Sequence, residues 1–267
     1  MRKERNRMRR KTICLVLVLL VLGASLAAAQ EQPADPAALD AEAILVRVNA
    51  AWQGESFHGT AHLEITLAGS TKYHTLEIWT LGEELALIRV LEPEEDLNTG
   101  YLQLADELWY YAPGIGAIEL PAIALADAVF GAGPSLEDLS HGTLSDDYDA
   151  AVEVLPDDPE DGSDAHWLLT LVPHPDAPVV YGKLEIWVTA GFSMERLVYY
   201  DQRGDVLQSA TFSDSIELGE RTFPTTVVIE DAFGDRTVQR IENPAFDLEI
   251  DASFFSIETF EIWGETE

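Results

Sequence analysis

From Phe57 onward the side chains alternate with a period of two. Leu63, Ile65 and Leu67 stand against His62, Glu64 and Thr66, and Leu76 and Ile78 stand against Thr75 and Glu77. That period marks strands with one buried and one wet face, the usual state of an antiparallel sheet. Comparable stretches recur at 85–91, 100–105, 107–111, 117–120, 151–155, 167–172, 181–189, 194–201, 206–213, 222–229 and 236–242. Turn sequences separate many of them, including Ala68-Gly69-Ser70, Ala190-Gly191-Phe192, Gln202-Arg203-Gly204 and Phe233-Gly234-Asp235. Neighbouring strands are therefore expected to pair as hairpins, giving a mainly β domain. About ten or eleven strands with few helices must close, stack or curl around something apolar.

Two segments break the pattern. Asp40 is placed to cap a helix whose Ile44, Leu45, Val48 and Trp52 form one apolar stripe. The Ala-rich run 122–139, with Leu125, Val129 and Phe130 before Gly131-Ala132-Gly133-Pro134 and Ser135-Leu136-Glu137-Asp138-Leu139, predicts two short helices around a glycine-proline break. The acid-rich stretch 156–164 reads as a solvated loop.

Charge limits the partners. The 267 residues carry 48 Asp plus Glu against 16 Lys plus Arg, a formal net of -32. A nucleic-acid binder needs clustered Lys and Arg, so this balance argues against one, and likewise against docking on anionic lipid. Seven of the basic residues lie at 2–11, ahead of the apolar run Ile13 to Leu22 and the small tripeptide Ala27-Ala28-Ala29. That order reads as a secretory signal peptide at 1–29, the alternative being an uncleaved anchor. Cleavage leaves 9 basic and 47 acidic residues. Cys14, the sole cysteine, sits inside the apolar run. It is not placed to become a lipidated first residue, and the exported chain would have no thiol chemistry. We expect a flexible lead-in at 30–39, a single domain at 40–262 and a tail at 263–267.

Chemistry-bearing clusters are sparse. Strand alternation puts His58, His62 and Glu64 on one face, with His74 on the next strand, but that face is the polar outer one, and we expect no metal site. Acid pairs such as Glu94-Glu95-Asp96, Asp146-Asp147 and Asp157-Asp158 lie in turn-like sequence. Neither a Gly-x-Ser-x-Gly elbow, nor a P-loop, nor a His-Glu-x-x-His motif occurs. The expectation is a binding protein without catalytic residues or cofactor.

The segment Val90-Leu91-Glu92-Pro93, continuing through Gly100-Tyr101-Leu102 to Leu108-Trp109-Tyr110-Tyr111-Ala112-Pro113, resembles the LolA-like outer membrane lipoprotein-sorting protein family. Matching segments follow in order: Phe130-Gly131 with Ser135-Leu136-Glu137-Asp138-Leu139, then Tyr181-Gly182-Lys183-Leu184-Glu185-Ile186-Trp187-Val188, then Leu197-Val198-Tyr199-Tyr200, with Pro224 at a later strand start. The residues carrying the motifs are Pro93, Gly100, Trp109, Tyr111, Pro113, Gly131, Glu137, Asp138, Lys183 and Trp187. The family's Ser-Asp-Phe is Ala132-Gly133-Pro134 here and its tyrosine is Leu136. The resemblance implies a strongly curved, unclosed antiparallel β-barrel with a helical lid. It also implies a periplasmic, monomeric carrier that shelters acyl chains of lipoproteins or lipids and meets membrane-bound donor and acceptor proteins. The alternative is an envelope-stress sensor or regulatory interaction module of the same fold. Candidate acyl-binding residues are Leu63, Ile65, Leu67, Leu76, Ile78, Ile88, Val90, Leu102, Leu108, Phe130, Ile186, Val188 and Leu197. Each buried CH2 contributes about 0.8 kcal/mol, so acyl chains alone supply ample affinity.

Overall fold

The computed structural model describes residues 39–82, 84–105, 107–121, 148–156, 163–175, 179, 181–219 and 221–265. All lie in the compact unit Asp35–Glu267. The expected signal peptide and the expected helices of 122–139, with Phe130, Gly131, Glu137 and Asp138, lie outside the described residues.

Thirteen strands form one sheet. They are β1 (Ser56–Leu67), β2 (Ser70–Leu81), β3 (Leu85–Glu92), β4 (Gly100–Leu104), β5 (Glu107–Ala112), β6 (Gly116–Leu120), β7 (Tyr148–Val154), β8 (Ala165–Pro173), β9 (Lys183–Thr189), β10 (Met194–Tyr200), β11 (Val206–Leu218), β12 (Arg221–Asp231) and β13 (Arg236–Phe246). The spatial order is β6-β5-β4-β3-β2-β1-β13-β12-β11-β10-β9-β8-β7. Each strand thus pairs with its neighbour in sequence, apart from the β1–β13 junction that joins two meanders. β6 and β7 are the sheet's two edges, so the curved sheet does not close. Among the described residues the count exceeds the ten or eleven expected.

Helix α1 (Ala41–Gln53) begins where the sequence indicates: the Asp40 carboxylate accepts from the Ala43 N–H at 2.8 Å. It ends at Gly54, whose φ of 65° suits glycine and whose N–H donates to the Ala50 carbonyl at 3.3 Å. Arg221 completes that end, donating Nη1 to the carbonyls of Ala50 and Ala51 and Nη2 to Asp247. A cation at a helix C-terminus satisfies orphan carbonyls and opposes the negative end of the dipole.

A second helix, α2 (Ile257–Glu265), was not expected from the sequence. It carries the packed chain past residue 262, since Trp263 stacks on Trp79 with ring centroids 5.3 Å apart. Residue 263 therefore belongs to the domain, not to a tail. No helix among the described residues is long and apolar enough to cross a membrane.

Candidate functional site

Register decides which side chains share a face, because residues directly opposite in an antiparallel pair point the same way. On β1, Ala61, Leu63 and Ile65 lie opposite Leu76, His74 and Lys72 of β2, and Ile78 of β2 lies opposite Ile88 of β3. Ala61, Leu63, Ile65, Leu76, Ile78, Ile88, Val90 and Leu108 form one buried cluster with Phe223 and Ile241. The other half of the sheet contributes Trp167, Leu169 and Leu171 of β8, Leu184, Ile186 and Val188 of β9, Leu197 and Tyr199 of β10, and Phe212 and Val227. Ile44, Leu45 and Val48 of α1 pack into this second cluster, so the face that α1 covers is the inner one.

The two apolar fields meet at β13. There Gln239 lies opposite both Leu63 and Val227, and Thr237 opposite both Ile65 and Ile229. Both are buried, and Thr237 Oγ1 has no hydrogen-bond partner among the described residues. Two polar side chains therefore follow one another along β13 where the two apolar fields meet. Sequence reasoning missed them because Thr237 and Gln239 alternate with Val238, and the pattern alone assigns the apolar member to the core.

Most of the expected cavity residues do share this inner face. Leu63, Ile65, Leu76, Ile78, Ile88, Val90, Leu108, Ile186, Val188 and Leu197 are buried there. Leu67, at the end of β1, is 42% exposed and marks the rim. Leu102 is a correction: it lies opposite Leu87 and Trp109 on the other face, in a cluster with Phe255 and Phe260 beneath α2. Period two fixes the alternation within a strand but not which phase faces inward, and on β4 the aliphatic phase, Leu102 and Leu104, turns outward while Tyr101 and Gln103 turn inward.

The motif residues have separate structural reasons. Trp109 and Tyr111 pack on the outer face, with Tyr111 stacked on Phe260 at 5.0 Å. Gly100 leaves the space that this packing requires, since a Cβ there would stand 2.0 Å from the Ile88 carbonyl and 2.5 Å from the Phe260 ring. Pro93 follows β3 and Pro113 follows β5. Lys183 donates to Glu185 at 2.8 Å and lies over the Tyr200 ring, while Trp187 carries the Arg196 guanidinium at 5.2 Å. These last groups face away from the inner wall.

The histidines divide between the two faces. His58 pairs with Glu77 at 3.1 Å, and His62 stands 3.2 Å from the Thr75 hydroxyl and 3.3 Å from Glu242, all on the outer face. His74 does not join them: it lies opposite Leu63 and is buried on the inner face. Burial, partly offset by Asp96, holds its imidazole below the ordinary value. Among the described residues no group of three or more His, Cys, Asp or Glu is arranged to hold a metal ion.

At one rim a shallow indentation, too tight to admit a water molecule, lies between α1, the β9–β10 turn and the start of β12. Val48, Trp52, Phe192, Ser193, Met194 and Pro224 are among its walls. Trp52 stacks on Phe223 at 5.1 Å and meets Phe212 edge-on at 5.5 Å, which ties the last turn of α1 to the sheet.

Comparison with known proteins agrees with this architecture. A family model described as "Uncharacterized protein" matches residues 82–261, more than half of the chain. Among solved structures, a DUF1329 family protein from Desulfovibrio piger is 19% identical with a TM-score of 0.71, the match covering 81% of this chain and 96% of that one. An outer membrane lipoprotein-sorting protein domain from Vibrio parahaemolyticus is 17% identical with a TM-score of 0.70, covering 83% and 98%. A LolA superfamily protein from Nitrosomonas europaea is 19% identical with a TM-score of 0.67, covering 82% and 98%. No curated protein matches. The chain belongs to the family whose model spans residues 82–261, and its curved, unclosed sheet is the LolA-like fold.

Proposed function

We propose that this protein is an exported carrier or binding protein that shelters acyl chains of lipoproteins or lipids against the inner face of its sheet. The observation that carries this reading is the inner wall itself. Two apolar clusters, one from β1–β5 and one from β8–β12, lie on one face of an unclosed sheet, joined along β13. An ordinary core has no reason to place Thr237 Oγ1 and Gln239 between two apolar fields. A wall that must accept and release a guest does, because a polar seam lowers the gain from collapse onto itself. At about 0.8 kcal/mol per buried CH2, one long acyl chain supplies enough free energy for carriage without any chemistry. The solved structures of similar fold include a lipoprotein-sorting domain, which supports the same reading. Export to an envelope compartment fits the basic-apolar-small order of residues 1–29.

Native mass spectrometry of protein purified from its own envelope tests the proposal. Acyl-bearing species are expected to co-purify and to leave on mild delipidation. A protein that carries no such species, and that takes up none when offered them, would overturn it.

A further inference from the structure

Two turns at one end of the sheet are built alike and differ at their tips. Between β10 and β11, Asp201 accepts from the Arg203 and Asp205 N–H groups through Oδ1 at 2.8 and 2.9 Å, and Gly204 has a φ of 89°. Between β12 and β13, Asp231 accepts from the Phe233 and Asp235 N–H groups through Oδ1, again at 2.8 and 2.9 Å, and Gly234 has a φ of 87°. The carboxylate and the glycine make each turn, and the tip side chain takes no part in it. In the first turn the tip is Arg203, whose Nε donates to Asp201 Oδ2 at 3.1 Å and stands 4.0 Å from Asp205. In the second it is Phe233, 92% exposed. A phenyl ring cannot answer the carboxylates as Arg203 does, and among the described residues Asp231 and Asp235 have no cation partner.

The exposed ring has apolar neighbours. The Ala68 N–H of the β1–β2 turn donates to Asp235 Oδ1 at 2.7 Å, and the Ala232 N–H donates to the Leu207 carbonyl at 2.9 Å, which ties these strand ends into one rim. Leu67, Tyr73, Val206 and Leu207 stand on the same ends and are all exposed. Single apolar side chains are ordinary on a surface, whereas a group of five around an almost fully solvated phenyl ring marks a contact surface. Charge indicates the partner. The chain's formal net of -32 repels anionic lipid and favours a basic surface. Near the ring, Arg236 is taken up by Glu230 at 3.1 Å and Arg203 by Asp201, so the carboxylates of the second turn remain to be matched from outside.

We propose that this rim docks an arginine-bearing amphipathic segment of a partner protein. The partner's guanidinium takes the place that Arg203 fills in the twin turn, bonding Asp231 Oδ2 and lying against the Phe233 ring. Apolar side chains of the same segment cover Leu67, Val206 and Leu207. Docking here does not require the inner wall to hold a guest.

The test uses protein purified from its own envelope in about 0.15 M salt, where exposed charges more than about 8 Å apart are largely screened. Probes are a peptide of alternating Arg and Leu, the same peptide with Glu for Arg, and phosphatidylcholine vesicles, with dissociation constants read by calorimetry. Phe233→Ser removes the ring, Phe233→Arg copies the twin turn and fills the place in cis, and Asp231→Asn keeps the Oδ1 acceptor while removing the charge. Glu153→Gln, on the exposed side of β7, controls for charge alone. Both Phe233 variants are expected to weaken the Arg-Leu peptide about 10-fold and Asp231→Asn about 3-fold, with Glu153→Gln within about 1.5-fold. Melting of Phe233→Ser should match wild type, because the ring packs on almost nothing. If Phe233→Ser and Glu153→Gln act alike, overall charge holds the peptide and the docking surface is overturned. It is overturned equally if wild type binds neither peptide, binds the Glu peptide as well, or binds vesicles through Phe233 in place of the peptide. None of these results bears on whether acyl-bearing species co-purify, so the carrier reading stands or falls separately.

Discussion

The two halves of the sheet bury opposite faces under their helices. On the β8–β12 side, α1 covers the inner face with Ile44, Leu45 and Val48. On the β2–β5 side, α2 covers the outer face, with Phe260 and Trp263 on Leu87, Leu102 and Tyr111. The packing chemistry differs as well. The α1 contact is mainly aliphatic, with Trp52 of its last turn set against Phe212 and Phe223. The α2 contact is a stack of rings clamped by Arg89, which lies 4.4 Å from the Trp263 ring and donates to Asn98 at 2.8 Å. One half is thus fastened from outside by stacked aromatics, which leaves its inner wall without a helix among the described residues. The other is closed from inside by a helix held at its ends by Asp40 and Arg221. The contrast teaches that scaffold and guest-facing surface can be separated across the two faces of a single sheet.

The contrast can be broken in order of expected effect. Phe260→Ala should cost about 3–5 kcal/mol in chemical denaturation, because it removes the fully buried ring at the centre of the outer cluster. If α2 is only scaffold, the affinity of the surviving folded protein for palmitate should be unchanged. Ile44→Ala should cost about 2–5 kcal/mol and, unlike the first change, should also alter palmitate affinity, since it empties volume on the inner face. Equal binding effects from the two substitutions would erase the distinction between the helices. Gly100→Ala should cost about 1–3 kcal/mol or more by pushing Phe260 off β4. Its signature is reduced protection of α2 in hydrogen exchange with α1 unaffected. Asp40→Ala should cost about 1 kcal/mol and fray only the start of α1, read the same way.

The smallest effect is a pH response on the outer face of β9 and β10, away from the part of that face that α2 covers. Burial and a 2.5 Å hydrogen bond to Glu185 push the Tyr200 phenol up to about 12. Burial opposes ionisation of Glu185, but hydrogen bonds from Lys183 and Tyr200 outweigh it and hold that carboxyl below its usual range. A phenol raised in the folded state favours folding below about pH 10 and loses that contribution as pH climbs through about 12. Ultraviolet titration should therefore show one late-ionising tyrosine, absent in Tyr200→Phe. The stability gap between the two proteins should close over that window. A gap that persists above it would mean Tyr200 acts through packing rather than through its proton.

Much of the fold was legible in the residues. Alternation located the strands from β1 to β13, and turn chemistry paired neighbours correctly because nearly every ladder joins consecutive strands. Asp40 and the Ile44-Leu45-Val48-Trp52 stripe gave α1 to within a residue. Helix α2 was not read from the sequence although Ile257, Phe260 and Trp263 recur at helical spacing, because it is only nine residues long and its packing partners Leu87, Leu102 and Tyr111 are distant in sequence. For the candidate site, ten of the thirteen expected cavity residues are buried on the inner face. Leu102 failed because the aliphatic phase of β4 is the one that turns outward, onto Phe255 and Phe260, and His74 departs from the outer face because its register places it opposite Leu63. Thr237 and Gln239 gave no signal, since each matters through a neighbour distant in sequence.

By itself, the sequence determined the strand period, the turns, the first helix and the acidic surface, because these depend on backbone preference and on side chains a few residues apart. Tertiary structure decided which phase of each strand faces inward, which face each helix covers, and where buried donors are left without acceptors. Those depend on register across β1–β13 and on close approaches such as Phe260 over Gly100, which form only once the two meanders have joined.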